Sequence, residues 1–192
     1  AGQAWGGDIE AVSIHNALLA ARHVLRADAA VVTQGPGNLG TETPWGFSGV
    51  ACGDAVNAIA ALGGRAVACL RVSQADARAR HRGVSHHSMT AYGRVALAGA
   101  DIVVPDMEGE LGAQVRQEAE ALCAPRRGAV QHRLIEIPSD GLLERLRAAE
   151  AETGVRLSTM RRGLEEDTAA FITAAAAGCY VHRLLRTETV RG

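Results

Sequence analysis

The feature that most constrains the fold of this chain is a regular alternation between two patterns of apolar residues. Short runs rich in β-branched residues, which predict strands, separate longer segments in which apolar residues recur with helical spacing. The five predicted strands cover residues 29–33, 66–72, 101–105, 129–137 and 155–159. Because such alternation favours parallel sheets joined by right-handed crossovers, we predict an α/β protein, a three-layer α/β/α fold with a mainly parallel, Rossmann-like five-stranded sheet.

The predicted helices fill the segments between these strands. The first follows Asp8, the second begins at Ser48 or Gly49, and the third begins at Ser85, a residue type that caps helices well. Three further helices are predicted around residues 111–122, 140–151 and 164–185. No repeat or linker divides the sequence, so residues 1–192 are predicted to form a single α/β domain. Because the chain begins at Ala1 without an initiator methionine, we expect a fragment of a longer protein that lacks its amino-terminal part.

Charge and composition limit the classes of binding partner that the sequence favours. It has 20 Lys and Arg against 21 Asp and Glu, a formal net charge of −1, and only 3% aromatic residues. A near-neutral chain with few aromatic rings gives no electrostatic or stacking argument for nucleic acid, and none for an anionic membrane. We therefore predict neither of these partners.

The location is predicted from what the sequence contains. No signal peptide is visible, and the apolar run 169–181 is too short to span a bilayer, which favours a cytoplasmic location. The four cysteines are scattered without a C-x-x-C pair and lie in apolar neighbourhoods. We predict that they are buried, reduced thiols.

A glycine-rich loop follows the first predicted strand and predicts a turn that faces a ligand. Its glycines let the backbone approach a ligand closely, and its hydroxyls can donate to a phosphate or carboxylate. The candidate ligand-binding residues of this loop are Gly35, Gly37, Asn38, Gly40, Thr41 and Thr43. The glycine spacing matches the dinucleotide fingerprint, but no helix follows directly and no acidic residue ends the next predicted strand. A P-loop would need a lysine before Thr41, and a tight turn without a ligand is a further alternative.

The loop after the second predicted strand has the highest density of arginine, histidine and serine side chains in the chain. Its arginines, histidines and serines fall between residues 78 and 88, ending where a helix is predicted to begin. The candidate ligand-binding residues are Arg80, His81, Arg82, Ser85 and Ser88, and the candidate catalytic residues are His86 and His87. The free N–H groups of a helix start, with Arg or His in front, favour an anion. The alternative is an ordinary N-cap beside solvated arginines.

A metal at this loop is a competing hypothesis. His86 and His87 are adjacent, so at a helix start their side chains point about 100° apart and need not share an ion. His81 or a carboxylate from another loop could complete a site, but no known ligand spacing is present. We therefore assign no metal ligand and no cofactor from the sequence.

Two classes of function remain open. Ligands of parallel sheets bind beyond the carboxyl ends of the strands, where both loops are predicted to lie. In the first hypothesis the chain is an enzyme acting on a small anionic metabolite, phosphorylated or carboxylated, and His86 or His87 transfers protons. Asp54, in the early turns of the second predicted helix, is the third candidate catalytic residue, or else simply a charge that favours the helix dipole. In the second hypothesis the chain is a non-catalytic sensor or a structural or interaction domain; a homo-oligomer is compatible with either.

Several segments resemble one family. They are residues 2–12 (GQAWGGDIEAV), 35–41 (GPGNLGT), 43–50 (TPWGFSGV), 80–88 (RHRGVSHHS) and 158–160 (STM). These strings are similar to the bacterial family known as domain of unknown function 3866, and the resemblance extends over nearly the whole chain. It implies that the chain corresponds to the carboxyl-terminal part of a longer protein, and it implies no activity. Glu42 and Arg161 stand where this pattern leads us to expect glycine.

Overall fold

The computed structural model describes residues 6–34 and 39–189, which form a mixed α/β fold. The helices are α1 (Ile14–His23), α2 (Ala51–Ala61), α3 (His86–Thr90), α4 (Gly109–Cys123), α5 (Leu142–Thr153) and α6 (Thr168–Thr189). The strands are β1 (Val67–Cys69), β2 (Val72–Ser73), β3 (Gly83–Val84), β4 (Asp101–Asp106), β5 (Arg133–Pro138), β6 (Ser158–Thr159) and β7 (Arg162–Gly163). Short 3-10 turns lie at Ser48–Val50 and Ala79–His81, and a π-helical segment, Ala91–Val95, continues α3.

The central sheet is parallel and has β4 in the middle, between β1 and β5. Asp101, the first residue of β4, pairs with Val67 of β1 and with Arg133 of β5, so the three strands begin at one level. The first five residues of β4 are buried, as expected for an apolar run in a parallel strand that is covered on both faces. The strand predicted at 101–105 is confirmed, and the one predicted at 129–137 begins later, at Arg133.

Helices cover both faces of this sheet. Because successive side chains of a strand alternate, Ile102 and Val104 pack into one core cluster and Val103 into another. The first cluster includes residues of α2 and α4, and the second includes residues of α5 and α6. Since Ile102 is fully buried, truncating it to alanine is expected to cost about 2–5 kcal/mol.

The predicted five-stranded, Rossmann-like sheet is wrong, because the central sheet of the described residues has three strands and two of the predicted ones, 29–33 and 155–159, do not join it. Residues 29–33 form no strand, and Val31 is 93% exposed; β-branched residues form a strand only where a neighbouring strand pairs with them. The run 66–72 breaks after β1, and its end turns away to pair antiparallel with β3. The last predicted strand shrinks to β6, which forms a two-residue hairpin with β7.

Helix α1 is shorter than predicted and packs lightly. It begins at Ile14, after Ser13, whose Oγ accepts a hydrogen bond from the Asn16 N–H at 3.2 Å. No residue of α1 is buried, and Val12 before it is exposed. The apolar spacing that follows Asp8 therefore does not mark a helix from that point.

Within the described residues, α6 is the one helix that has the length and composition to cross a membrane, over Thr168–Thr187. Ile172, Ala176 and Ala177 of this helix pack into the second core cluster. A long apolar helix that packs on a sheet inside a folded protein has the same length and composition as a membrane-spanning helix. The cytoplasmic location stays a prediction.

The prediction that all four cysteines are buried is wrong. Cys123 is buried and Cys179 is partly buried, whereas Cys52 and Cys69 are exposed. Cys69 lies on β1, which pairs on one side only within the described residues, and Cys52 lies in the first turn of α2. An apolar neighbourhood in sequence does not show which side of an element faces solvent.

Candidate functional site

The segment 71–88, here called the histidine loop, leaves the carboxyl end of β1 and folds back on itself. Its two short strands pair antiparallel, Val72 with Val84, and the Ser85 N–H donates to the carbonyl of Arg71 at 2.8 Å. The turn into β3 has a φ of +64° at Gly83, and a Cβ there would collide with side chains of α4. This geometry favours glycine, and it brings the start of α3 against Arg71 at the carboxyl edge of the sheet.

Three histidine rings meet in this loop and are here called the histidine cluster: His81, His86 and His87. His81 is 1% exposed, and the other two are half-buried in the first turn of α3. The ring centroid of His81 lies 4.8 Å from that of His86 and 4.9 Å from that of His87, and the last two are 4.3 Å apart. One ring nitrogen from each residue lies within 4.8 Å of the other two. The expectation that the side chains of His86 and His87 point away from each other is wrong, because both rings contact the ring of His81.

Phe47 covers one side of the histidine cluster. Its ring stacks on that of His87 with centroids 3.9 Å apart and an angle of 8°, and it meets His86 edge-on at 6.2 Å. Phe47 is buried and pairs with Gly40 in an isolated β-bridge. The end of the glycine-rich segment and the histidine loop, predicted to frame one pocket, therefore meet through Phe47.

Ser85 orients His81. The Ser85 Oγ accepts a hydrogen bond from the His87 N–H at 3.3 Å, which confirms the predicted N-cap, and it lies 2.7 Å from Nδ1 of His81. If Nδ1–H donates to this oxygen, Nε2 of His81 carries a lone pair. Within the described residues, Nε2 of His81 and Nε2 of His86 are buried and have no hydrogen-bond partner. Because buried polar atoms are nearly always paired, these two nitrogens are open to a hydrogen bond or a coordinate bond from a water molecule, a ligand or an ion.

An ionic network built on two buried aspartates lies beside the cluster. The Asp76 carboxylate accepts two hydrogen bonds from Arg78, both at 3.0 Å, and lies 3.6 Å from the Arg71 guanidinium. Arg162 donates to Asp167 at 2.9 Å and lies 3.5 Å from Asp76. Because three arginines face two aspartates, the network carries a net positive charge.

This environment keeps the histidines neutral. Burial lowers the pKa of His81 and of His87 to about 4, and it lowers the pKa of His86 in the same direction. Nearby arginines add to these shifts, Arg80 among them in the case of His86. At neutral pH the three imidazoles therefore offer lone pairs and N–H groups and carry no charge.

The predicted residues of the glycine-rich loop are only partly described. Three of them lie outside the described residues: Gly35, Gly37 and Asn38. The hydroxyls of Thr41 and Thr43 lie 2.8 Å apart, and the Thr43 Oγ accepts a hydrogen bond from the Gly46 N–H at 3.0 Å. Both threonines are exposed, and these bonds shape the turn that leads into Phe47. The predicted contact of this loop with a ligand stays a prediction.

The other predicted residues of the histidine loop take different positions. Ser88 is buried and its Oγ accepts a hydrogen bond from the Arg71 N–H at 2.9 Å, while Arg82 donates to the carbonyl of Asp76 at 2.9 Å. Both of these side chains therefore support the loop. Arg80 is exposed and makes no hydrogen bond or ion pair within residues 6–34 and 39–189.

Asp54 stands apart from the histidine cluster. It is exposed in the first turn of α2, and its carboxylate forms no hydrogen bond or ion pair with any residue that the structure describes. The geometry therefore gives no support to its predicted role as a partner of the histidines.

Four residues that contact or border the site were not predicted: Phe47, Arg71, Arg162 and Asp167. Asp167 accepts a hydrogen bond from the Ser73 hydroxyl at 2.7 Å, a contact between residues that are 94 positions apart. One signal was present for Arg71, because a charge inside the apolar run 66–72 marks a position that leaves the core. The others depend on contacts between distant parts of the chain, which periodicity does not show.

A second polar cluster lies at the opposite, amino edge of the sheet. It borders a cavity of about 260 Å³ lined by Arg65, Asp101 and Arg133 among others. Asp101 accepts hydrogen bonds from Arg65 at 2.8 Å, from Arg133 at 2.9 Å and from the Tyr180 hydroxyl at 2.9 Å. Because its charged groups are paired with one another, this cluster has the character of a structural tie between the sheet and α6.

Comparison with known proteins agrees with the resemblance of the motifs. A family model described as a protein of unknown function (DUF3866) matches residues 1–178, and the chain belongs to this family. No curated protein and no solved structure shows detectable similarity to the chain.

Proposed function

We propose that this member of the DUF3866 family binds a small phosphorylated or carboxylated metabolite at the histidine cluster, at the carboxyl edge of the sheet. The observation that carries the proposal is that the guanidinium of Arg80 has no partner within the described residues. Arg80 is exposed and precedes the buried His81 in the sequence, and its guanidinium has no hydrogen bond or ion pair within the described residues. Its charge is close enough to contribute to the lowered pKa of His86. Arg78 is instead engaged by Asp76. A guanidinium takes a carboxylate or a phosphate with two parallel hydrogen bonds, so Arg80 offers what such a ligand needs.

The groups around Arg80 support the same ligand class. The ionic network of Asp76 and Asp167 has one more cation than anion, which attracts negative charge to this edge. The neutral imidazoles of His86 and His87 each carry an N–H group that can donate to a ligand oxygen. Their partial burial strengthens such hydrogen bonds relative to water.

The proposal has an enzymatic form and a sensing form. In the enzymatic form His86 or His87 transfers a proton to or from the bound metabolite. In the sensing form the same contacts hold the ligand without turnover. A cytoplasmic location and a homo-oligomer are compatible with both, and we propose no nucleic-acid or membrane partner.

The test is isothermal titration calorimetry, in which the heat of binding is measured for inorganic phosphate, for a sugar phosphate and for a dicarboxylate. Replacing Arg80 with glutamine is expected to weaken binding about 10- to 100-fold, because a charge-assisted hydrogen bond contributes about 1.5–3 kcal/mol. Arg127→Gln is the matched control, since Arg127 is an exposed arginine outside the histidine loop. Equal weakening in both variants, or no binding of any anion, would contradict the proposal. Product formation from a bound ligand distinguishes the enzyme from the sensor.

A further inference from the structure

We infer that the histidine cluster is a site for a divalent transition-metal ion, such as zinc, held by one imidazole nitrogen from each of His81, His86 and His87. The inference deepens the proposed function and rests on it in one respect: the anion is the group that takes the remaining coordination position. Binding of the metal itself is testable without the anion.

The distances suit such an ion after a small movement. The three ring nitrogens lie within 4.8 Å of one another. Zinc–nitrogen bonds of 2.0–2.1 Å in tetrahedral geometry place ligand nitrogens about 3.4 Å apart. The rings therefore have to approach by no more than about 1.4 Å, and His86 and His87 are only half-buried, so rotations of their side chains supply this.

The unpartnered nitrogen of His81 is the second, independent observation. His81 is 1% exposed, yet its Nε2 has no hydrogen-bond partner within the described residues. His132 shows how a structural histidine of this chain differs: its Nδ1 accepts from the Ala100 N–H at 3.0 Å, and its Nε2 lies 2.9 Å from the Tyr92 carbonyl oxygen. A metal ion satisfies the lone pair of His81 that no protein donor reaches.

Ser85 supplies the support that a metal-binding histidine commonly has. Such a histidine usually donates its second ring N–H to a neighbouring oxygen, which fixes the tautomer and the ring orientation. Nδ1 of His81 lies 2.7 Å from the Ser85 Oγ, an oxygen that is itself fixed as the cap of α3. Because Ser85 occupies Nδ1, Nε2 is the ring nitrogen of His81 that is left to bind an ion.

The ligand set indicates the class of metal. Neutral imidazoles suit zinc, iron, copper and nickel, whereas magnesium and calcium require oxygen ligands. Within the described residues, the grouping of potential ligands consists of these three histidines, and the Asp76 carboxylate nearby is occupied by arginines. Three protein ligands leave a position for water or for an anionic oxygen, the arrangement of catalytic rather than structural zinc.

The test uses untagged protein, stripped with a chelator and titrated with Co²⁺, whose visible absorption reports the coordination, and then with Zn²⁺ in competition. We expect about one equivalent, with affinity reduced at least about 100-fold in His81→Ala and in His87→Ala. His15→Ala is the matched control, because His15 is an exposed histidine on α1, and it should bind as the wild type does. If circular dichroism shows that His81→Ala does not fold, the metal affinity of His87→Ala tests the inference, because His87 is only half-buried. Absence of stoichiometric binding by the wild type, or wild-type affinity in His87→Ala, overturns the inference.

Two further measurements separate this inference from the proposed function. Arg80→Gln should keep the Co²⁺ equivalent and its spectrum while losing affinity for phosphate. Ser85→Ala should weaken Co²⁺ about 10- to 100-fold and alter its spectrum, as expected for a positioning residue. Phosphate binding that persists in the metal-free wild type and depends on Arg80 would leave the proposed function standing, even where Co²⁺ does not bind.

Discussion

The Nδ1 atom of His81 lies 2.7 Å from the Oγ atom of Ser85, and both side chains are buried. One hydroxyl thus fixes a histidine ring and caps the helix that carries the other two histidines, since the same Oγ accepts the His87 N–H. The shape of the histidine cluster depends on this single side chain.

Replacing Ser85 with alanine is expected to lower the free energy of unfolding by about 2–4 kcal/mol, because it removes a helix cap and leaves a buried ring nitrogen unpaired. Urea denaturation measures this. The control is Ser13→Ala, since Ser13 caps the exposed α1 and should cost only about 0.5–1 kcal/mol. Similar losses in the two variants would contradict the dual role of Ser85.

Replacing Arg161 with glycine is expected to stabilise the protein by about 0.5–1 kcal/mol. Arg161 and Met160 form the two-residue turn between β6 and β7 with φ values of +66° and +49°, where a side chain is unfavourable. Glu42 also stands where the family pattern suggests glycine, but its φ is not positive. Glu42→Gly should therefore lose stability, and a gain there equal to that of Arg161→Gly would refute the explanation.

The stability of the metal-free protein is expected to fall as the pH drops from about 6.5 to about 4. The folded-state pKa of His81 and of His87 is about 4, so in this window the unfolded chain binds more protons and unfolding becomes more favourable. Each histidine adds a slope of up to about 1.4 kcal/mol per pH unit. The pKa of Asp76 is lowered by its hydrogen bonds to Arg78, so this carboxylate stays charged throughout the window. Urea unfolding at several pH values in the presence of chelator measures the slope, and a flat profile would be the contrary result.

Replacing Asp167 with asparagine is expected to cost about 3–5 kcal/mol, because it removes the fully buried carboxylate to which Arg162 and Ser73 donate. Asp167 is fully buried and accepts hydrogen bonds from Ser73 at 2.7 Å and from Arg162 at 2.9 Å. Glu165→Gln is the control: Glu165 pairs with Arg147 at 2.8 Å on the surface, where such a pair is worth about 0–1 kcal/mol. Thermal unfolding of the two variants compares them, and equal melting temperatures would argue against a structural role of the buried network.

Apolar runs and capping residues correctly predicted those elements whose formation depends on residues close together in the sequence. The apolar run from Ile102 to Val104 predicted the central strand within one residue of its end, and Ser85 predicted the start of α3, because capping depends on the residues next to it. The alternation of strands and helices predicted the α/β class. The same signals failed for residues 29–33, whose β-branched side chains find no paired strand.

The candidate site was predicted in composition but not in geometry. The density of histidines and arginines between residues 78 and 88 pointed to the loop in which His81, His86 and His87 lie close together, and their meeting follows from the fold of that loop on β2 and β3. That fold is set by contacts with distant elements, such as the hydrogen bond between the Val84 N–H and the Glu118 carboxylate at 2.6 Å. Periodicity contains no information about such pairs.

The central claim is that His81, His86 and His87 form one ligand site, and nitrogen-15 NMR of the imidazole rings tests it most directly. We predict that His81 has a protonated Nδ1 and an unprotonated Nε2 at neutral pH, and that added Zn²⁺ or phosphate shifts the signals of all three rings together while those of His132 stay in place. An Nε2-protonated His81 with rings that respond independently of one another would contradict the account.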